Sequence, residues 1–189
     1  MNCKTLYLTL CLLLILTSLG QAKVCNIGAE NFYQNYRHII PLDYYQYTTL
    51  VNYTSSSGNN IYSFDVRNRS TKKSQTTIYV NVDSDGYIND ISLKASLANS
   101  NINDINIIRD CCLLSMGLST SEVSWLKNHE KSDFITRNLT VKYGEIYSAN
   151  NNMIIYVHEV PIGGGLLVIF IDKQNSDDFY NNFLKKYIT

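Results

Sequence analysis

The chain has 189 residues, 45% hydrophobic and 17% charged, with 16 basic side chains balanced by 16 acidic ones. That balance argues against a nucleic-acid footprint, which needs a clustered basic surface, while the length suffices for one well-formed core. The densest basic stretch, "RNRSTKK" from Arg67 to Lys73, reads as a solvated polar loop.

Residues 1–22 read as a signal peptide. Met1 to Lys4 give a short basic start, Leu6 to Leu16 an uncharged apolar run, and Gly20-Gln21-Ala22 the small residues that a signal peptidase inspects. The run is too short to cross a bilayer comfortably, so no integral membrane span is expected after cleavage. Lipidation needs a cysteine directly after a small residue, but Lys23 and Val24 separate Ala22 from Cys25. The expected product is exported, periplasmic or extracellular, with residues 23–189 forming a single α+β domain. Its cysteines are Cys25, Cys111 and Cys112. In an oxidising compartment, one bridge from Cys25 to either of the adjacent pair is expected. Closing a loop of roughly 85 residues would contribute on the order of 4 kcal/mol.

"GAENFYQNYRHII" (28–40) spaces Phe32, Tyr36 and Ile39 or Ile40 as a helix, which Pro41 stops. From Tyr44 the period changes to two. "YYQYTTLVNYT", "IYSFDVRN", "QTTIYVNV" and "YINDISLKA" read as strands, with turn residues between them. "NDINIIRDCCLLSMG" (103–117) is helical and apolar around much of its surface, so it should be buried. Gly117 suits a left-handed C-terminus, and Ser119 with Glu122 has the spacing of a capping box for a helix over 120–131. "NLTVKYGEIYS", "MIIYVHEV" and "LLVIFID" read as three further strands. "SDDFYNNFLKKYI" (176–188) then gathers Phe179, Phe183, Leu184 and Tyr187 on one helical face. The expected fold is α+β: an antiparallel sheet of about six to seven strands covered by helices, with a helix-then-meander order that hints at duplication.

"NVDSDGYINDIS" (81–92) carries Asp83, Asp85 and Gly86 at EF-hand positions, but Ser92 replaces the bidentate glutamate. Its flanks alternate as strands, so a hairpin turning at Asp85-Gly86 through a two-residue type I′ turn is the better expectation. His158-Glu159 lacks the second histidine of a zinc protease motif, and neither a G-x-S-x-G elbow nor a C-x-x-C pair is present. No cofactor or metal is therefore expected. Tyrosine, fifteen residues in all, buries apolar area while keeping a polar handle and is enriched at interfaces. The cluster Tyr44, Tyr45, Tyr47 and Tyr53 is the candidate interaction surface.

The export signal, "AENFYQNYRHII", the Asp-Gly hairpin, "STSEVSWL" and "VKYGEIYSANNNMIIYVHEV" together resemble an uncharacterised family of small exported bacterial proteins, many of them lipoproteins. The resemblance covers most of the mature chain, implies export in a bacterium, and carries over no catalytic residue. The absent lipid-accepting cysteine is a departure from its lipoprotein members. The leading expectation is a non-enzymatic binding protein, such as a periplasmic inhibitor or immunity-type protein, whose partner is an unidentified protein or envelope component. One alternative is a small hydrolytic or thiol enzyme using Cys111 or Cys112 with His38 or His158. Another is a carrier of a small apolar ligand, held between the sheet and the helix of Ile105 and Ile108.

Overall fold

The computed structural model describes residues 24–54, 60–71, 75–96, 101–129, 131–136, 139–148, 151–162 and 165–172. The expected signal peptide and the expected helix over 176–188 lie outside the described residues. The elements run α1 (Ala29–Ile39), β1 (Tyr45–Tyr47), β2 (Val51–Thr54), β3 (Asn60–Asn68), β4 (Gln75–Val82), β5 (Ile88–Ser96), α2 (Ile102–Ser115) and α3 (Thr120–His129). They continue with β6 (Lys131–Thr136), β7 (Leu139–Ser148), β8 (Asn151–Ile162) and β9 (Gly165–Asp172).

The strands form one antiparallel sheet in the order β1-β3-β4-β5-β9-β8-β7-β6, with β2 beside β1 along the same edge of β3. Six strands of eight or more residues (β3, β4, β5, β7, β8 and β9) make its body, and three short ones finish its edges. The fold is α+β, as the alternation implied. Two meanders meet where β5 pairs with β9, Ile91 opposite Phe170 and Leu93 opposite Val168. Each meander follows a helix, so the helix-then-meander order is visible in the topology.

Alternation decides which face is buried. Phe64 and Val66 of β3, Ile78 and Val80 of β4, and Val168 and Phe170 of β9 all belong to the core beneath the helices. From α1, Phe32 and Tyr36 enter that core and meet the Phe64 ring at centroid distances of 6.4 and 5.1 Å. Aromatic pairs at such offsets and tilts contribute about 0.5–1.5 kcal/mol beyond their area. α2 is buried around most of its circumference, as expected, with Ile105, Ile108, Cys111, Cys112 and Leu113 inside and Ile107 exposed. Its end is a Schellman motif. Gly117 has φ +96°, its N–H donates to Leu114 O, and the Leu118 N–H donates to Leu113 O. The capping box also forms: the Ser119 N–H donates to Glu122 Oε2 at 2.7 Å, and the Glu122 N–H donates to Ser119 Oγ at 3.3 Å.

The 81–92 stretch is a hairpin between β4 and β5, but not through a two-residue turn. The Gly86 N–H donates to Asp83 O, the Asp83 N–H donates to Tyr87 O, and Gly86 has φ +84°. This is a three-residue loop, Ser84 to Gly86, with glycine at the left-handed bulge position. Asp83 explains the shift of turn. Its Oδ1 accepts from the N–H groups of Asp85 and Tyr87 at 2.9 and 2.8 Å, holding the loop from inside.

Candidate functional site

The sheet has two unlike edges. At one end β6 ("KSDFIT") contains Lys131 and Asp133, charges of the kind that discourage strand addition. At the other end, residues 44–54 contain no charged side chain and no proline. Here β1 and β2 line β3 in succession, and all four residues of β2 are exposed. Between the two strands, the Thr48 N–H donates to Asp65 O, and Thr48 Oγ1 accepts the Asp65 N–H at 2.9 Å. That irregularity breaks one expected strand into two and leaves β2 as a short, uncharged segment.

The four tyrosines nominated from the sequence do not share a surface. Residues directly opposite in an antiparallel pair lie on one face of the sheet. Tyr47 sits opposite the core residue Val66, which places it and Tyr45 on the helix-covered face. Tyr45 is only 3% exposed and donates its hydroxyl to Asp104 Oδ1 at 2.7 Å, an oxygen that also accepts from Asn68 Nδ2 at 2.9 Å. Its place on the candidate surface is therefore withdrawn: it is a core anchor. Burial, then the Asp104 hydrogen bond and charge, raises its hydroxyl above the usual tyrosine range. Tyr47 is half-buried, edge-on to Tyr33 at 6.0 Å, and accepts a hydrogen bond from Arg37 Nε at 2.9 Å. Tyr44 and Tyr53 are outward, 64% and 41% exposed. Val51 and Tyr53 pair with Ser63 and Ile61 on the face away from the helices, so β2 presents two large apolar side chains there.

On its other face, β2 borders a cleft of about 360 Å³ between α1 and the sheet, lined by Glu30, Tyr33, Gln34, Leu50, Asn52 and Tyr62. Asn52 lies opposite Tyr62, and Tyr62 opposite the core residue Val80, so both belong to the helix side. Glu30 and Gln34 are one turn apart and project from one face of α1. The Tyr33 hydroxyl donates to Thr48 O at 2.8 Å, tying helix to edge. Sequence reasoning found the tyrosines but missed this cleft, because its lining comes from two segments with no shared local pattern.

The cysteines depart from expectation. Cys25, Cys111 and Cys112 are free and buried, so the expected bridge from Cys25 to the pair is absent. Burial pushes the Cys25 and Cys111 thiols up to about 12 and the Cys112 thiol well above its ordinary value. Nucleophilic thiol chemistry needs the thiolate, which such sites suppress. His38 lies exposed at the end of α1, and His129 stacks on Trp125 at 4.2 Å with Nδ1 2.8 Å from Trp125 O. His158 is placed by backbone register opposite Lys142 and Val168. Ile105 and Ile108, expected to line an apolar cavity, are packed into the core cluster. Among the described residues, no group of three or more His, Cys, Asp or Glu is arranged to hold a metal ion. Among the same residues, no helix is long and apolar enough to cross a membrane.

Among the described residues, the chain is thus an α+β protein with one sheet-edge strand that contains charged residues and, at the other edge, residues 44–54 that contain none. No family model, curated protein or solved structure matches this chain.

Proposed function

We propose that this chain is an exported, non-enzymatic binding protein that engages a macromolecular partner along the β1–β2 edge. One observation carries the reading: the 11 consecutive residues 44–54 lack any charge or proline along a sheet edge whose strand β2 is wholly exposed. Natural edges are ordinarily blunted by short strands, charge, proline, bulges or a covering element; this one has short strands and a break at 48–50, but neither charge nor proline. Val51 and Tyr53 add apolar and aromatic area of the type that anchors interfaces. Export is supported by the signal-like residues 1–22 and by the resemblance to small exported bacterial proteins. In that setting the partner is a protein or other envelope component, and an inhibitor or immunity role suits a protein whose site is an edge. The thiol-enzyme reading loses its nucleophile to burial of the cysteines. The apolar-carrier reading has less support, because Ile105 and Ile108 sit within the buried core cluster.

Photo-crosslinking in the producing cell tests the proposal. A benzophenone amino acid at position 51 or 53 should give one discrete crosslinked species, and the same group at position 133 on the opposite edge should give none. Crosslinks that form from position 133 and not from 51 or 53 would overturn the proposal.

A further inference from the structure

The cleft beside β2 is open at the edge itself, because Asn52 of β2 and Leu50 just before it are part of its lining. A strand added to β2 would alternate its side chains between the two faces. Those on the helix side, about 4.5–5.5 Å from the residue opposite, would be directed towards the cleft. Its chemistry selects among them. Tyr33 and Tyr62 give aromatic walls, Gln34 and Asn52 give carboxamides, and Glu30 gives the one charged group among the described lining residues. Among the described residues, Glu30 has no ion-pair partner. The nearest cation along the helix is Arg37, seven residues on and about 10 Å along the axis. Arg37 is engaged elsewhere: it donates to Tyr47 Oη and Gln34 Oε1, and lies 5.7 and 5.4 Å from the centres of the Tyr33 and Tyr47 rings. A long side chain with aromatic contact along its stem and a cationic end facing a carboxylate is lysine or arginine.

We propose, resting on the edge-binding reading above, that β2 takes up an extended peptide segment by strand addition, with a lysine or arginine of that segment seated in the cleft against Glu30. A second copy of this chain is a poorer occupant. Its own β2 would bring no cation opposite Glu30, since residues 44–54 carry none. Backbone pairing supplies a sequence-tolerant part of the affinity, and the cleft supplies the choice of side chain.

The test is selection from a displayed library of random octapeptides against the full protein, followed by amide chemical-shift mapping with the enriched peptides. Enriched peptides should share a basic residue within an alternating β-branched pattern, shift the amides of Val51 to Thr54, and lose binding when alternate peptide nitrogens are methylated. Glu30→Gln, at an exposed position and with an unchanged melting temperature as control, should weaken the basic peptides about fivefold. It should leave peptides with norleucine at that position unaffected. Peptides that pair with β2 but show no basic preference would overturn the cleft assignment while leaving the edge reading in place. No enrichment, or a dimer in sedimentation whose contacts map to β2, would overturn strand addition by a foreign segment. The edge reading would then be judged by the crosslinks from positions 51 and 53.

Discussion

Raising the pH from 8 to 10 should cost this protein a large part of its stability, and the cause lies in three buried thiols. Cys25, Cys111 and Cys112 are 1%, 5% and 0% exposed, and burial lifts each above the ordinary thiol value of 9.0. A group whose folded value is raised takes up protons on folding. Its contribution is complete below the unfolded value and disappears as pH rises towards the folded one. At pH 10 each unfolded thiol is mostly ionised while its folded counterpart stays protonated, a difference of about 1.4 kcal/mol per thiol. Three free thiols together lose about 4 kcal/mol, against a total stability of order 5–15 kcal/mol for a domain. Tyr36 and Tyr45, also raised by burial, act in the same direction. Urea unfolding of the chain from residue 23 onward, at pH 8 and pH 10, reads the loss, so that only these thiols count. The loss should be the same with and without reductant, and Cys25→Ala should reduce it by about 1.4 kcal/mol. A bridge between Cys25 and either of the pair would silence two titrations and cut the loss in air to about a third. That result, or a loss under about 1 kcal/mol in reductant, would refute the placement of the thiols.

Two tyrosines on neighbouring elements should respond to the same substitution with opposite signs. Tyr45→Phe deletes a hydrogen bond to a buried carboxylate and should destabilise by about 1.5–3 kcal/mol in denaturant titration. Tyr36→Phe removes a buried hydroxyl that has no hydrogen-bond partner among the described residues, and should be neutral or stabilising by about 1 kcal/mol in the same assay. Gly117→Ala places a Cβ in open space but at φ +96°, so it should lower stability by about 1–2 kcal/mol through backbone strain alone, seen as a reduced melting temperature.

Local features were legible in the sequence where one residue's chemistry decides the geometry. Gly117, the Ser119–Glu122 box and the strand alternation of 61–68 and 75–82 each formed as their residues imply. Register and non-local pairing were not legible. Tyr44 and Tyr45 look alike in sequence, and only the pairing of Tyr45 with Asn68 shows which one turns inward. Strand β6 was missed because "KSDFIT" directly follows the helical "TSEVSWLKNH" and mixes charge with apolar residues. The break at 48–50 was hidden because the Thr48 side chain bonds to Asp65, 17 residues away, while the β pattern runs on past it. The β5–β9 seam joins Asp90 to Ile171 and leaves no trace in either segment alone. The hairpin loop lengthened by one residue because Asp83 could hold two loop amides at once, a gain that the Asp-Gly signal does not encode.

Hydrogen exchange of the β2 amides, in the presence and absence of a bound partner or selected peptide, tests the central claim most directly. Pairing at this edge should slow exchange at Val51 to Thr54 and leave Lys131 to Thr136 on the far edge unchanged. Protection that appears at the far edge, or binding that leaves Val51 to Thr54 exchanging as before, would contradict it.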